Sequence, residues 1–174
     1  MLFRNRTNEL KYSGCDSYNV TITDKNGKKY PIKYMKSVGT QLNEAGCPSG
    51  VITITERTFW GDETSYDALY IKSDEITTKV NLIYEADGEE KKLCVDESGL
   101  SKEIKTNYLK INGIEDEIDE YSFVRIEKDG NDVGFYVKGQ SNDIIIDEPG
   151  KYHVVVLNRL GNGFSFDVEI NSKW

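Results

Sequence analysis

A chain of 174 residues with 30 acidic against 22 basic side chains carries a net charge of −8. That balance argues against a sequence-independent grip on nucleic acid or on an anionic membrane, since both need clustered Lys and Arg. The length suits one large or two small domains, and no apolar run approaches the roughly 18 residues of a helical membrane span.

Residues 1–6 read as an N-terminal arm, with Leu2 and Phe3 as apolar anchors and Arg4 and Arg6 as local positive charge within an acidic chain. The arm lacks a hydrophobic signal region, which predicts either a protein used without Sec export or a mature fragment given a new Met. The segment Thr7-Asn8-Glu9-Leu10-Lys11-Tyr12-Ser13-Gly14 then returns later as Thr106-Asn107-Tyr108-Leu109-Lys110-Ile111-Asn112-Gly113. The residues immediately after each copy also match, with Tyr18, Lys25 and Gly27 set against Tyr121, Lys128 and Gly130. This is tandem duplication of one small β unit, an arrangement suited to spanning and covering surfaces.

Period-two alternation dominates the first copy. Tyr18, Val20 and Ile22 alternate with polar neighbours, Asp24-Lys25-Asn26-Gly27 supplies an Asn-Gly turn, and residues 29–34 form the returning strand of a hairpin. Further strands are predicted at 40–42, 51–59 and 65–72. Between the last two, Phe59 and Trp60 fall at a loop tip, where exposed aromatics serve carbohydrate stacking or protein interfaces, and where a Trp can also fold back under its loop. Residues 77–96 form an additional hairpin around Ala86-Asp87-Gly88, and residues 97–105 are the best linker candidate.

The second copy repeats the hairpin at 123–126 and 133–137 around Lys128-Asp129-Gly130-Asn131, with further strands at 143–147, 152–158 and 163–170. Ser65-Tyr66-Asp67 and Ser165-Phe166-Asp167 close the two copies alike. Only a single helical turn, at 114–120, is compatible with the pattern. Short strands with turn signals every 8 to 12 residues or so predict an all-β sandwich architecture. The organisation expected is an arm at 1–6, a first domain at 7–100 that includes the inserted hairpin 77–96, and a second domain at 101–174. Units of this size bury only about 60 to 65 percent of their unfolded surface, so each is expected to be modestly stable.

No catalytic constellation emerges. His153 is the only histidine and alternates with Tyr152 and Val154, which places it on the outer face of its strand and leaves neither a Ser-His-Asp triad nor a Cys-His pair to build. Glu115, Asp116, Glu117, Asp119 and Glu120 are read as a solvated acidic loop, with calcium as the alternative, because they lack the Asp-x-Asp-x-Asp-Gly spacing of a dedicated site. Cys15, Cys47 and Cys94 are too few and too dispersed for zinc, and their odd number is not a disulfide framework. No metal and no cofactor is expected.

The run Glu148-Pro149-Gly150-Lys151-Tyr152-His153-Val154 resembles the tyrosine corner of immunoglobulin-like domains, with Val154 where antibody domains carry a cysteine, as in many bacterial and bacteriophage modules. The resemblance covers the second copy. In the first, Glu44-Ala45-Gly46 fits, but Cys47-Pro48-Ser49-Gly50 replaces the Tyr region with one extra residue. It implies two tandem immunoglobulin-like β-sandwiches with an inserted β-hairpin, and a structural role for Glu148, Gly150 and Tyr152. It also implies that the strands after Cys15 and Cys47 start at the same end, which leaves that pair either bridged or as separate thiols. Functionally it points to a non-enzymatic bacteriophage virion protein, a capsid decoration or auxiliary component that binds capsid subunits or copies of itself through the arm and the Phe59-Trp60 tip. The alternative is a bacterial cell-surface adhesin or carbohydrate-binding module with a glycan partner. A small hydrolase is the third and weakest reading.

Overall fold

The computed structural model describes residues 19–33, 36–58, 60–72 and 74–172. The chain divides into two compact units, Met1–Glu75 and Ile76–Trp174. It is mostly β, with several antiparallel sheets and one short helix among the described residues.

In the first unit, β1 (Asn19–Thr23) and β2 (Lys29–Ile32) form the hairpin, followed by α1 (Val38–Glu44), β3 (Gly50–Arg57) and β4 (Glu63–Tyr70). They assemble a sheet of order β2-β1-β3-β4. Alternation selects one face for burial: Val20, Ile22, Ile52, Ile54, Ala68 and Tyr70 share a core with Val38 and Leu42 of α1. The hairpin turn is fixed by Asp24, whose Oδ1 accepts from the N–H groups of Asn26 (2.8 Å) and Lys28 (3.0 Å) while Oδ2 accepts from the Tyr30 hydroxyl (2.8 Å). Gly27, at φ 87°, supplies the left-handed position that the turn requires.

Residues 40–42, expected as a strand, lie inside α1. Thr-Gln-Leu is too short to separate period two from period 3.6. Context decides instead: Ser37 caps the helix, with its Oγ accepting from Thr40 N–H at 3.5 Å, and Val38 and Leu42, four apart, both point into the core. The Gln41 side chain then ties the helix to the end of β2, accepting from Lys33 N–H (2.7 Å) and donating to the carbonyls of Lys33 (3.1 Å) and Lys36 (3.3 Å).

The second unit comprises β5 (Lys79–Ala86), β6 (Glu89–Val95), β7 (Ile104–Thr106), β8 (Leu109–Glu115), β9 (Phe123–Lys128), β10 (Asn131–Val137), β11 (Ile144–Ile146), β12 (Gly150–Leu157) and β13 (Gly163–Ile170). One sheet has the order β10-β9-β12-β13-β7 and the other β11-β8-β5-β6. Val80, Leu82, Leu109 and Ile111 from the second meet Val124, Ile126, Val154 and Val168 from the first in one shared core. The hairpin 77–96, expected with the first domain, belongs to this unit: β5 pairs with β8 from Lys79↔Glu115 to Tyr84↔Leu109 and buries Val80 and Leu82 in its core. The boundary between units accordingly falls at 75/76 rather than near 100, and residues 104–106, partly inside the expected linker, form β7, parallel to β13.

The two units share the order hairpin, central strand, returning strand. Gly50 pairs with Tyr70 as Gly150 pairs with Ile170, and these two glycines have φ of 146° and 151°. No extra residue separates the copies here, contrary to the sequence alignment. Gly50 stands for Gly150, and Ile52 occupies the place of Tyr152.

Candidate functional site

The loop joining β3 to β4 projects the largest exposed apolar side chain among the described residues. It is a tight turn: Thr58 N–H donates to the Asp62 carbonyl (2.9 Å), Gly61 N–H to the Thr58 carbonyl (3.0 Å), and Asp62 N–H to Thr58 Oγ1 (3.2 Å). Gly61 at φ 88° lets the chain reverse. Trp60 sits at the apex, 85% exposed. Around it, Arg57 pairs with Glu63 at 3.3 Å, and Glu56 accepts from the Tyr66 hydroxyl at 3.3 Å. A flat indole held on a rigid turn, with carboxylates and a guanidinium beside it, can stack on an apolar face of a ligand and hydrogen-bond its rim. Phe59 and the arm residues Leu2, Phe3, Arg4 and Arg6 lie outside the described residues, as does Cys15 and with it the question of a Cys15–Cys47 bridge.

The matching loop of the second unit has the same backbone and a different purpose. Asn158 N–H donates to the Asn162 carbonyl (2.9 Å) and Gly161 N–H to the Asn158 carbonyl (3.0 Å), with Asn158 Oδ1 accepting from Asn162 N–H (3.0 Å). Here Arg159 is drawn inward: its Nε donates to Asp119 Oδ1 and its N–H to Oδ2, both at 2.7 Å, and its guanidinium covers the Tyr121 ring at 4.4 Å. Leu160 is half-buried rather than projecting.

The acidic stretch 115–120 is therefore not simply a solvated loop. Asp116 accepts from Thr77 Oγ1 and Thr78 Oγ1 (2.6 Å each) and from the N–H groups of Ile118 and Asp119 (3.0 Å each), and Asp119 accepts from Tyr121 N–H (2.9 Å) and from Arg159. Burial works against ionising Asp116, but these donors outweigh it and hold its carboxyl below the ordinary value. Both carboxylates are committed to protein donors, and no group of three or more metal-ligating side chains occurs among the described residues.

Tyr152 is 4% exposed, and its hydroxyl donates to the Glu148 carbonyl at 2.8 Å, while Lys128 lies over its ring at 5.3 Å. Gly150 could not accept a Cβ freely: besides its φ, the added atom would sit 2.7 Å from the Lys128 side chain. His153 Nδ1 meets Asp167 Oδ1 at 2.7 Å on the outer face. The corresponding cross-strand pair in the first unit is Thr53 Oγ1 donating to Asp67 at 2.9 Å. A hydroxyl and an imidazole thus serve the same rung, which marks the contact as part of the sheet. Cys47 is buried, and burial pushes its thiol up; Cys94 is exposed on β6. Burial likewise pushes Tyr70 up to about 12.

Sequence reasoning missed one surface. On the outer face of the five-stranded sheet, Phe135 (52% exposed) stacks on Phe123 with centroids 5.1 Å apart, beside Val137, Val155 and Leu157. By pairing register, the equivalent positions of the first unit hold Pro31, Asn19, Lys33, Thr55 and Arg57.

No family model matches the chain, and no curated protein does. Among solved structures, the chain is similar to the mixed-linkage glucan utilization locus protein SGBP-B of Bacteroides ovatus, solved in complex with a mixed-linkage heptasaccharide. The identity is 13% and the TM-score 0.24, over 96% of this chain and 65% of that one. This chain thus spans less than two thirds of that protein's length.

Proposed function

We propose that this is a non-enzymatic binding protein whose first unit engages a carbohydrate through Trp60. The observation that carries the reading is an indole 85% exposed on a turn locked by backbone and Thr58 hydrogen bonds. Left in water, so large an apolar surface contributes nothing to folding, whereas a pyranose face laid on it removes that surface from water at little entropic cost, because the turn is already ordered. The neighbouring Glu63, Asp62 and Arg57 offer acceptors and donors to sugar hydroxyls.

We also infer an immunoglobulin-like character for the second unit, supported by the order β10-β9-β12-β13-β7, the parallel β7–β13 edge and the Tyr152–Glu148 bond. The related order β2-β1-β3-β4 extends the reading to the first unit. A protein partner is the other use of an exposed Trp, but the capsid role expected from the resemblance has no particular residue among those described to carry it.

The test is affinity electrophoresis through a panel of neutral polysaccharides, with wild type and Trp60→Ala. The expected result is retardation of wild type by at least one of them and a loss of about tenfold or more in the variant, with thermal stability unchanged. Wild type running unretarded through every gel, or a variant that binds as well as wild type, would overturn the reading.

A further inference from the structure

In a chain with an excess of acid, one strip is basic. Lys25, Lys28, Lys29, Lys33 and Lys36 fall within a short span whose one carboxylate neighbour, Asp24, is buried and bonded to Tyr30. The fold turns this strip into the wall of an open groove of about 390 Å³ between β2 and α1, lined by Lys28, Lys29, Lys33 and Lys36 together with Pro31 and Gln41. Glu44 is the one acidic side chain in that lining. Lys28, Lys29, Lys33 and Lys36 are exposed, and among the described residues Lys29, Lys33 and Lys36 enter no ion pair. The groove is preorganised, since Gln41 bonds the backbone at Lys33 and Lys36 and so fixes the helix against the end of β2.

From this groove we infer a binding site for an acidic polysaccharide, a chain bearing carboxylates at intervals. Three features select that partner. The positive charges are lysine ammoniums spread along an extended strand, Lys29 and Lys33 being about 13 Å apart at strand pitch, a spacing for separated point charges rather than for a dense phosphate backbone. The rest of the surface is acidic, which repels nucleic acid beyond a short footprint. Pro31 stands in the middle of edge strand β2 and offers no N–H to an added strand, so an acidic peptide cannot extend the sheet there by β-pairing. A saccharide needs no such ladder.

This site lies in the same unit as Trp60 but uses different residues. It deepens the carbohydrate reading by naming an anionic class of glycan, and the two stand or fall on separate measurements. The probe is polygalacturonate, titrated into the full chain by calorimetry at low ionic strength, with dextran, poly-glutamate and single-stranded DNA as parallel titrants. Saturable binding of polygalacturonate that weakens as salt is added, with a loss of about tenfold in Lys29→Gln/Lys33→Gln, is the expected result, because two exposed charge contacts at up to about 1 kcal/mol each sum to about that factor. Trp60→Ala run alongside reports on the tip alone. Absence of polygalacturonate binding, binding indifferent to the double substitution, or equal binding of poly-glutamate or DNA would overturn the inference, whatever the neutral polysaccharides do at Trp60.

Discussion

The sheet β2-β1-β3-β4 and the run β10-β9-β12-β13 share an order and a register, and they differ most where the fold is indifferent. At the tip between the last two strands the backbone bonds are the same within 0.1 Å, from Thr58 to Asp62 and from Asn158 to Asn162. Yet one tip lifts Trp60 into solvent and the other folds Arg159 onto Asp119. On the outer faces the first unit carries hydroxyl rungs, Thr53 to Asp67 and Thr55 to Ser65 (3.0 Å), where the second carries His153, Val155 and the stacked Phe123 and Phe135. The lesson is that turn geometry and the buried stripe define this sheet, while tips and outer faces are open to be fitted to partners.

The largest effect expected from breaking this contrast is at the anchored tip. Asp119→Ala strands the Arg159 charge, only 11% exposed in its side chain, and should destabilise by about 3 to 5 kcal/mol, read from the denaturant midpoint. A loss below about 1 kcal/mol would mean the two tips are alike after all. Next, Asp116→Asn weakens hydrogen bonds to a charged acceptor and should cost about 2 kcal/mol. The pH dependence has a definite sign. The folded-state pKa of Asp116 lies below the ordinary 3.8, so its contribution is full above that value and disappears as pH falls through the lowered one. Asp24, where burial is outweighed by the Tyr30 hydroxyl and the Lys28 and Asn26 amides, acts in the same direction in the first unit. Acid titration of stability in D116N should therefore be flatter than in wild type; parallel curves would exclude Asp116 as a source.

A smaller effect separates Tyr152 from its counterpart Ile52. Tyr152→Phe removes the bond to the Glu148 carbonyl and should lower stability by about 0.5 to 1.5 kcal/mol, and an unchanged midpoint and slope would show the bond to be idle. Smallest of all, Phe135→Thr, which gives the second unit a first-unit type of face, should change stability by no more than about 0.5 kcal/mol while reducing retention on a hydrophobic-interaction column. Retention equal to wild type would show that this face presents no accessible apolar patch.

Both hairpins were legible because Asn26-Gly27 and Asp129-Gly130 sit between alternating strands, and the last two strands of each copy were legible from their matched endings. The loop tip of Trp60 followed from those strand ends. The helix over 38–44 was not legible, since three alternating residues cannot reveal a period. The Lys25 to Lys36 strip is visible as composition, but its groove exists only because Gln41 brings α1 against β2. The anchoring of Asp116 and Asp119 was hidden for a similar reason: their partners Thr77, Thr78 and Arg159 lie some forty residues away in sequence.

The sequence by itself determined that the chain alternates, turns and repeats, because period-two burial and left-handed turn residues are local properties that each strand carries alone. Tertiary structure decided the partner of each strand. Residues 77–96 would alternate equally well against either unit, and what assigns them to the second is the ladder from Lys79↔Glu115 to Tyr84↔Leu109 and the burial of Val80 and Leu82 beside Leu109 and Ile111. A strand's pattern states which face must leave water; only a packed neighbour states where it goes.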